Sequence, residues 1–321
     1  MYGVNPLSAI SAIKTRAEQW KGGQRPADGR KLGLVIEGGA MRSVYSAGGV
    51  VALAHLGITE LFDEVYATSA GVMNASYFLS NQPFVGITVY YDSCTSHLFM
   101  NPLRLWKVLD IDYLFDQVIT NDKPLDVAKV ISSPSKFFVA LIDKSTGEGI
   151  LVEKTATGTP LLQVLKAATS MPVFYNRTVE VDGRPCMDGG LAIPFPLEHA
   201  IANGCTDVLV LLTRPADYRC QAPTWRSRQL FDIICARGNS AVSCVYARHH
   251  EASRAARDLA FARVSPPPGV NIATICTEPS EAIHRTSSDP LALRQAALDY
   301  GRKTLRNFGV EDPAWDLPLP S

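Results

Sequence analysis

The chain is predicted to fold as an α/β protein around a central, mostly parallel sheet, and three observations lead there. Lys31-Leu-Gly-Leu-Val-Ile-Glu37 is a short apolar run ending in glycines, the pattern of a buried strand, and a small-residue helix from Val44 to Leu56 follows it. A second run, near Phe62 to Thr68, leads into a corner that carries Ser69 and then into a helix through Phe78. Two strand–turn–helix units in succession give parallel strands. Asp207-Val-Leu-Val-Leu-Leu-Thr213 adds a third strand that is apolar on both faces.

The elements follow in order. Residues 1–30 read as an N-terminal arm: Leu7, Ile10, Ile13 and Trp20 form an apolar stripe on a helix that Gly22-Gly23 ends, with a polar linker around Pro26. Such a stripe docks on the protein's own body or on a lipid surface. The stretch 80–135 is less periodic, with Tyr90, Tyr91, Phe99, Trp106, Tyr113 and Phe115, and reads as helices and loops covering the sheet edge or a substrate mouth, its aromatics core in preference to a binding box. Lys136–Asp143 and Gly149–Glu153 are paired strands joined through Thr146-Gly147. A helix spans Pro160 to Ala168, Val173 to Val181 is extended, and Asp182-Gly183 is a hairpin turn. Leu197 to Asn203 is helical, 224–263 is mostly helical, Val270 to Cys276 is the last strand and Pro290 to Phe308 the last helix. No linker interrupts the middle of the chain. The expected organisation is an arm over 1–30, a catalytic body over 31–280, and a C-terminal helix and tail over 281–321.

Composition bounds the function. Lys+Arg and Asp+Glu both total 31, so no net charge draws the chain to nucleic acid, and none is expected as a partner. The seven cysteines are odd in number and lack C-x-x-C spacing, which argues against a disulfide framework or a zinc site and for a reducing, cytoplasmic compartment. No apolar run approaches the roughly 18–20 residues that span a bilayer, so any membrane contact is expected to be peripheral.

Three loops at strand ends carry the chemistry, where α/β folds keep their sites. Gly38-Gly39-Ala40 lets backbone N–H groups turn outward at a helix start, a nest for a phosphate or an oxyanion, or simply a tight turn. It lacks the G-K-[ST] and G-x-G-x-x-G patterns of nucleotide loops. Ser69 lies on a strand-to-helix corner among Ala67, Ala70 and Gly71, as a nucleophile or as a helix cap. Asp188 precedes Gly189-Gly190 just after a hairpin, as a turn residue or as a base projecting into a cleft. In this order the loops make an acyl-transfer set of oxyanion hole, nucleophile and base. His199, His249, His250 and His284 follow Asp188, as the histidine of a Ser-Asp-His triad would, but none has a distinctive loop context, and His249-His250 read as part of a charged, solvated helix.

On these residues the chain resembles the patatin-like phospholipases and, among them, the bacterial YjjU-like group. Glu37-Gly38-Gly39-Ala40-Met41-Arg42 is similar to the family's oxyanion loop, and Ala67-Thr68-Ser69-Ala70-Gly71 to its G-x-S-x-G elbow. Ala168-Thr169-Ser170-Met171-Pro172 is similar to a loop that precedes the aspartate, and Asp188-Gly189-Gly190 to its D-G-[AG]. The resemblance runs from about Leu32 to Thr213. It implies a three-layer αβα patatin-like fold and a serine lipid acyl hydrolase that works with a Ser–Asp dyad, with no metal and no organic cofactor. Ser69 would attack the ester carbonyl and Asp188 take its proton. Gly38, Gly39, Ala40 and Met41 would hold the oxyanion. Arg42, Gly71, Gly189 and Gly190 would support the loops, Arg42 as an ion-pair partner or a contact for a phosphate head group. Lipid or acyl-ester substrates follow. Ala40, Ser43 and Ala67 stand where the family pattern has glycine, and alanine costs about 1 kcal/mol wherever the backbone needs φ > 0. A catalytically weak or silent lipid-binding protein, and an α/β-hydrolase-type triad esterase, are the alternative readings.

Overall fold

Eight strands form one sheet in the computed structural model, which describes residues 6–20, 28–104, 107–172, 174–175, 177–279, 283–312 and 314–320. They are β1 (Leu32–Ile36), β2 (Glu64–Thr68), β3 (Lys136–Asp143), β4 (Gly149–Glu153), β5 (Val179–Val181), β6 (Arg184–Asp188), β7 (Asp207–Leu211) and β8 (Asn271–Ile275). The order is β5-β6-β3-β2-β1-β7-β8, with β4 paired to β3. The run β3-β2-β1-β7-β8 is parallel throughout, while β4 and β6 meet β3 antiparallel.

The helices are α1 (Pro6–Gln19), α2 (Val44–His55), α3 (Gly71–Leu79), α4 (Pro83–Thr88), α5 (Ile111–Tyr113), α6 (Val127–Ser132) and α7 (Leu161–Thr169). They continue as α8 (Leu197–Ala202), α9 (Trp225–Phe231), α10 (Ser240–Ala260) and α11 (Pro290–Asn307).

Alternation along the strands builds the three layers. Leu34, Ile36, Val65, Ala67, Leu209 and Leu211 face a core shared with α1, α2, α3, α7 and α11. Val35, Tyr66, Val208 and Val210 face the other way, onto α8 and α10. Both sides being covered, β1, β2 and β7 are buried at every position, which is why residues 34–36, 65–67 and 208–211 are apolar on both faces.

Helix α1 packs its stripe on this body: Ala9, Ile10, Ala12 and Ile13 are buried. Its Arg16 guanidinium is pinned by Asp28 at 2.8 Å and Asp63 at 2.5 Å. Of the stripe, Ile10 and Ile13 are thus buried against the body and Trp20 is half-buried. The side chain of Leu7, the Gly22-Gly23 stop, Pro26, Trp106 and Val173 lie outside the described residues.

Expectation and structure differ in the extended stretch after α7, where the strand begins only at Val179, and over 224–263, where the helical segment breaks at Arg237 and Gly238, both with positive φ. The Asp182-Gly183 turn has φ of 49° and 73°, the geometry that a two-residue hairpin requires. No helix among the described residues is long and apolar enough to cross a membrane.

Candidate active site

The four sequence motifs converge at the C-terminal edge of the parallel strands. Ser69 follows β2 directly, with φ 54°, a left-handed conformation that a non-glycine residue adopts at a cost of order 1 kcal/mol or more. Its side chain caps no N–H of α3. Instead the Ser69 hydroxyl donates to Asp188 Oδ2 at 2.6 Å, with both residues buried. The other carboxylate oxygen, Oδ1, accepts the Gly190 N–H at 2.8 Å. Asp188 is therefore both the turn residue and the partner of the serine.

Sheet register brings the two together. On β3, Thr68 of β2 pairs with Ala140 and Asp188 of β6 pairs with Leu141, so two strands of opposite direction end head to head on consecutive residues. A side chain at Gly189 would strike the Ala140 carbonyl, its Cβ falling 2.6 Å from the oxygen. The Asp188 N–H is tied to the Ser170 carbonyl at 3.3 Å, which gives the Ala168–Pro172 loop its part in the site. Burial raises the Asp188 carboxyl to about 6, against the opposing effects of the Ser69 and Gly190 hydrogen bonds and the Arg285 charge.

The glycine loop is packed against the serine corner. A Cβ on Gly38 would lie 2.4 Å from the Thr68 carbonyl oxygen, and one on Gly71 would lie 2.8 Å from that of Ile36, so each loop needs its glycine for the other to approach. Glu37 anchors the loop from behind: its Oε2 accepts from Thr213 N at 2.6 Å and Thr213 Oγ1 at 3.1 Å. The N–H groups of Gly38, Gly39 and Ala40 have no acceptor among the described residues, whereas that of Met41 is directed to the Arg285 carbonyl at 3.4 Å. Of the two alanines in glycine positions, Ala40 has φ 52° and carries the expected strain; Ala67 is ordinary extended strand and carries none. Ser43 is buried, in the 3₁₀ turn that runs into α2.

Ser69 and Asp188 lie at the junction of two cavities. One, of about 70 Å³, is apolar, and Ser69 just before α3 lines it with Met73 and Tyr77 on one stripe of that helix, with Tyr90, Phe99 and Phe174 among its other walls. The 80–135 stretch thus supplies cavity wall as well as core. The other cavity, of about 230 Å³, is polar, and Arg42, Arg214, Tyr218, His249 and Arg285 share it with Ser69 and Asp188. No carboxylate lies within 4 Å of the Arg42 guanidinium among the described residues, so the ion-pair role expected for it is not the observed one.

His249 is half-buried in this polar mouth, which corrects the expectation of a solvated helix. Its Nδ1 bonds the Tyr246 carbonyl at 2.7 Å and its Nε2 lies 3.3 Å from Cys220 Sγ. Among the described residues no histidine ring bonds Ser69 or Asp188. The arginines at 214 and 285 and Tyr218 were not anticipated as site residues, and His249 was weighed only as a triad histidine. Arg214 follows β7 at the sheet's functional edge, and Tyr246, His249 and Ser253 share one face of α10 at helical spacing, so both carried a signal. Arg285 carried none.

Residues 34–201, just over half of the chain, match the patatin-like phospholipase family. The chain belongs to that family. Its fold is the three-layer patatin-like α/β fold, and β7 and β8 extend the sheet beyond the matched span. The uncharacterized protein YjjU of Escherichia coli (strain K12) is 28% identical over 212 residues, which is 64% of this chain and 57% of that protein. The match thus spans a little over half the length of this curated relative. The crystal structure of VipD from Legionella pneumophila is similar over 87% of this chain and 67% of that one, with a TM-score of 0.46 and 12% identity.

Proposed function

We propose that the protein is a serine lipid acyl hydrolase working through a Ser69–Asp188 dyad. The observation that carries this reading is the 2.6 Å hydrogen bond between the Ser69 hydroxyl, on its strained corner, and a buried carboxylate, at the meeting point of an apolar and a polar cavity.

The acyl chain of an ester enters the apolar cavity beside Met73 and Tyr77. Asp188 in its ionised form takes the Ser69 proton as Oγ attacks the ester carbonyl. The carbonyl π electrons move onto oxygen, and the N–H groups of Gly38, Gly39 and Ala40 receive that oxyanion. As collapse of the intermediate breaks the ester C–O bond, Asp188 passes its proton to the leaving oxygen, so the alcohol departs neutral and Asp188 is ionised again. Water from the polar mouth, activated by Asp188 again, then releases the fatty acid from the acyl-serine. Arg42, Gly71, Gly189 and Gly190 hold the loops and the mouth in register. With both oxygens of Asp188 taken by Ser69 and Gly190, and both His249 nitrogens engaged elsewhere, the dyad is favoured over a triad.

The catalytic unit on this reading is the body over 31–280, with the arm and the C-terminal helix packed on it. Contact with lipid is peripheral: Trp225, Leu230 and Ile233 are exposed on the segment whose buried Phe231 lines the polar mouth. The test is turnover of acyl esters of graded chain length. Wild type cleaves them, and Ser69→Ala and Asp188→Asn lose about 10²–10⁴-fold or more in kcat. Absence of turnover across the series, or turnover that survives Ser69→Ala, overturns the proposal.

A further inference from the structure

Three guanidiniums face the polar mouth: Arg42 from the glycine loop, Arg214 from the end of β7, and Arg285 from the segment before α11. Among the described residues none of the three has an ion-pair partner within 4 Å, and Arg42 Nε has no hydrogen-bond acceptor. The acids nearby are committed. Glu37 is bonded to Thr213 and stands 4.0 Å from a fourth guanidinium, that of Arg257, while Asp188 is bonded to Ser69 and Gly190. Burial, with the like charges of Arg214 and Arg285 added, pushes Arg42 down to about 10. Glu37 and Asp188 also line this mouth but pair with none of the three within 4 Å, so the arginines keep an excess of positive charge there that a multiply charged anion offsets.

The aromatic rings here argue the same way. A quaternary ammonium head group needs open aromatic faces. Tyr218 already carries Arg214 at 3.9 Å from its ring centroid, with Arg257 at 5.4 Å. Tyr246 is stacked with Phe231 at 4.0 Å and with His249 at 5.4 Å. A cationic head would meet three guanidiniums and rings already in use.

We infer that Arg42, Arg214 and Arg285 form a subsite for a phosphate monoester group, so that the ester cleaved at Ser69 is one carrying a terminal, doubly charged phosphate. The subsite lies beside the reacting atoms, since the same cavity holds Ser69 and Asp188. The choice of substrate rests on the hydrolase reading; the presence of an anion site does not.

The experiment therefore has two arms. In the first, inorganic phosphate is titrated calorimetrically into Ser69→Ala, which needs no turnover, and into Ser69→Ala carrying Arg214→Gln and Arg285→Gln. Binding that weakens tenfold or more in the triple variant supports the subsite, and binding that is absent or unchanged overturns it. In the second, kcat/KM is compared for 1-acylglycerol 3-phosphate, the matching 1-acylglycerol and the matching phosphocholine ester. The expected preference for the phosphate monoester is tenfold or more over each, and in Arg214→Gln/Arg285→Gln it collapses towards equality. Arginine-dependent phosphate binding with equal turnover of all three esters assigns the site to free phosphate and overturns the substrate claim. Arginine-dependent binding with no turnover of any ester leaves the anion site standing and fails the hydrolase reading alone.

Discussion

Thr68 and Asp188 occupy adjoining places on one strand: Thr68 pairs with Ala140 and Asp188 with Leu141, from strands that run towards each other along the same edge of β3. Ser69, one residue past Thr68, is thus delivered to the carboxylate by backbone hydrogen bonding. Side-chain flexibility has little part in setting the dyad's geometry.

The first prediction concerns the proton. A carboxyl raised from 3.8 to about 6 by burial is the base only when ionised, so kcat/KM falls about tenfold per pH unit below about 6 and is level above it. The same shift has a stability sign. Folded Asp188 holds its proton more tightly than the unfolded chain does, so the fold is weakened as pH rises from about 4 to about 6, and that penalty persists above. Asp188→Asn removes activity and the penalty together. Denaturant titrations at pH 7.5 should find it more stable by roughly 2–3 kcal/mol, and at pH 4 nearly equal to wild type.

Ala40 and Ala67 separate cleanly. Ala40 has φ 52°, so Ala40→Gly relieves strain and is expected to stabilise by up to about 1 kcal/mol. Ala67 is a buried strand residue, so Ala67→Gly destabilises by about 1 kcal/mol through lost packing and greater unfolded-state freedom. Thermal melts of the two single variants, shifting in opposite directions, check this.

Gly71→Ala puts a methyl 2.8 Å from the Ile36 carbonyl oxygen and forces the glycine loop away from the serine corner. The expected loss is about 1–3 kcal/mol of stability, with a fall in kcat larger than the change in KM, because the oxyanion donors move relative to Ser69. Melting curves and steady-state kinetics on one short-chain ester measure both.

On the hydrolase reading, the apolar cavity of about 70 Å³ is the one that sets acyl length. Phe99→Ala enlarges it, and the preferred chain is expected to lengthen by about two carbons or more, at a cost of about 3 kcal/mol in stability for the lost core ring. A chain-length series on wild type and variant reads the shift.

The parallel half of the sheet was legible because each strand carries its own local signal: β1, β2 and β7 are apolar on both faces, and each is followed by a loop whose residues are special. The motif loops were legible for the same reason. The pairing of β6 with β3, which carries Asp188 to Ser69, is a contact between distant segments and leaves no local pattern. The 80–135 stretch lacks a clean period because its side chains serve the core and a cavity at once. Arg214 and Arg285 could not be grouped from sequence, since they are charged loop residues 71 positions apart that only the crossing of β7, α10 and β8 brings to one mouth. His249 was hidden among Arg248, Glu251 and Arg254, on a helix whose charged faces outnumber the one turned inward.

The central claim is that Ser69 is a nucleophile activated by Asp188, and one measurement meets it directly. Wild type is treated with an alkyl fluorophosphonate and the adduct is mapped by peptide mass spectrometry. A single adduct on Ser69 is expected, absent in Ser69→Ala and strongly slowed in Asp188→Asn. A wild type that takes no label, or one whose label maps elsewhere and survives Ser69→Ala, would contradict it.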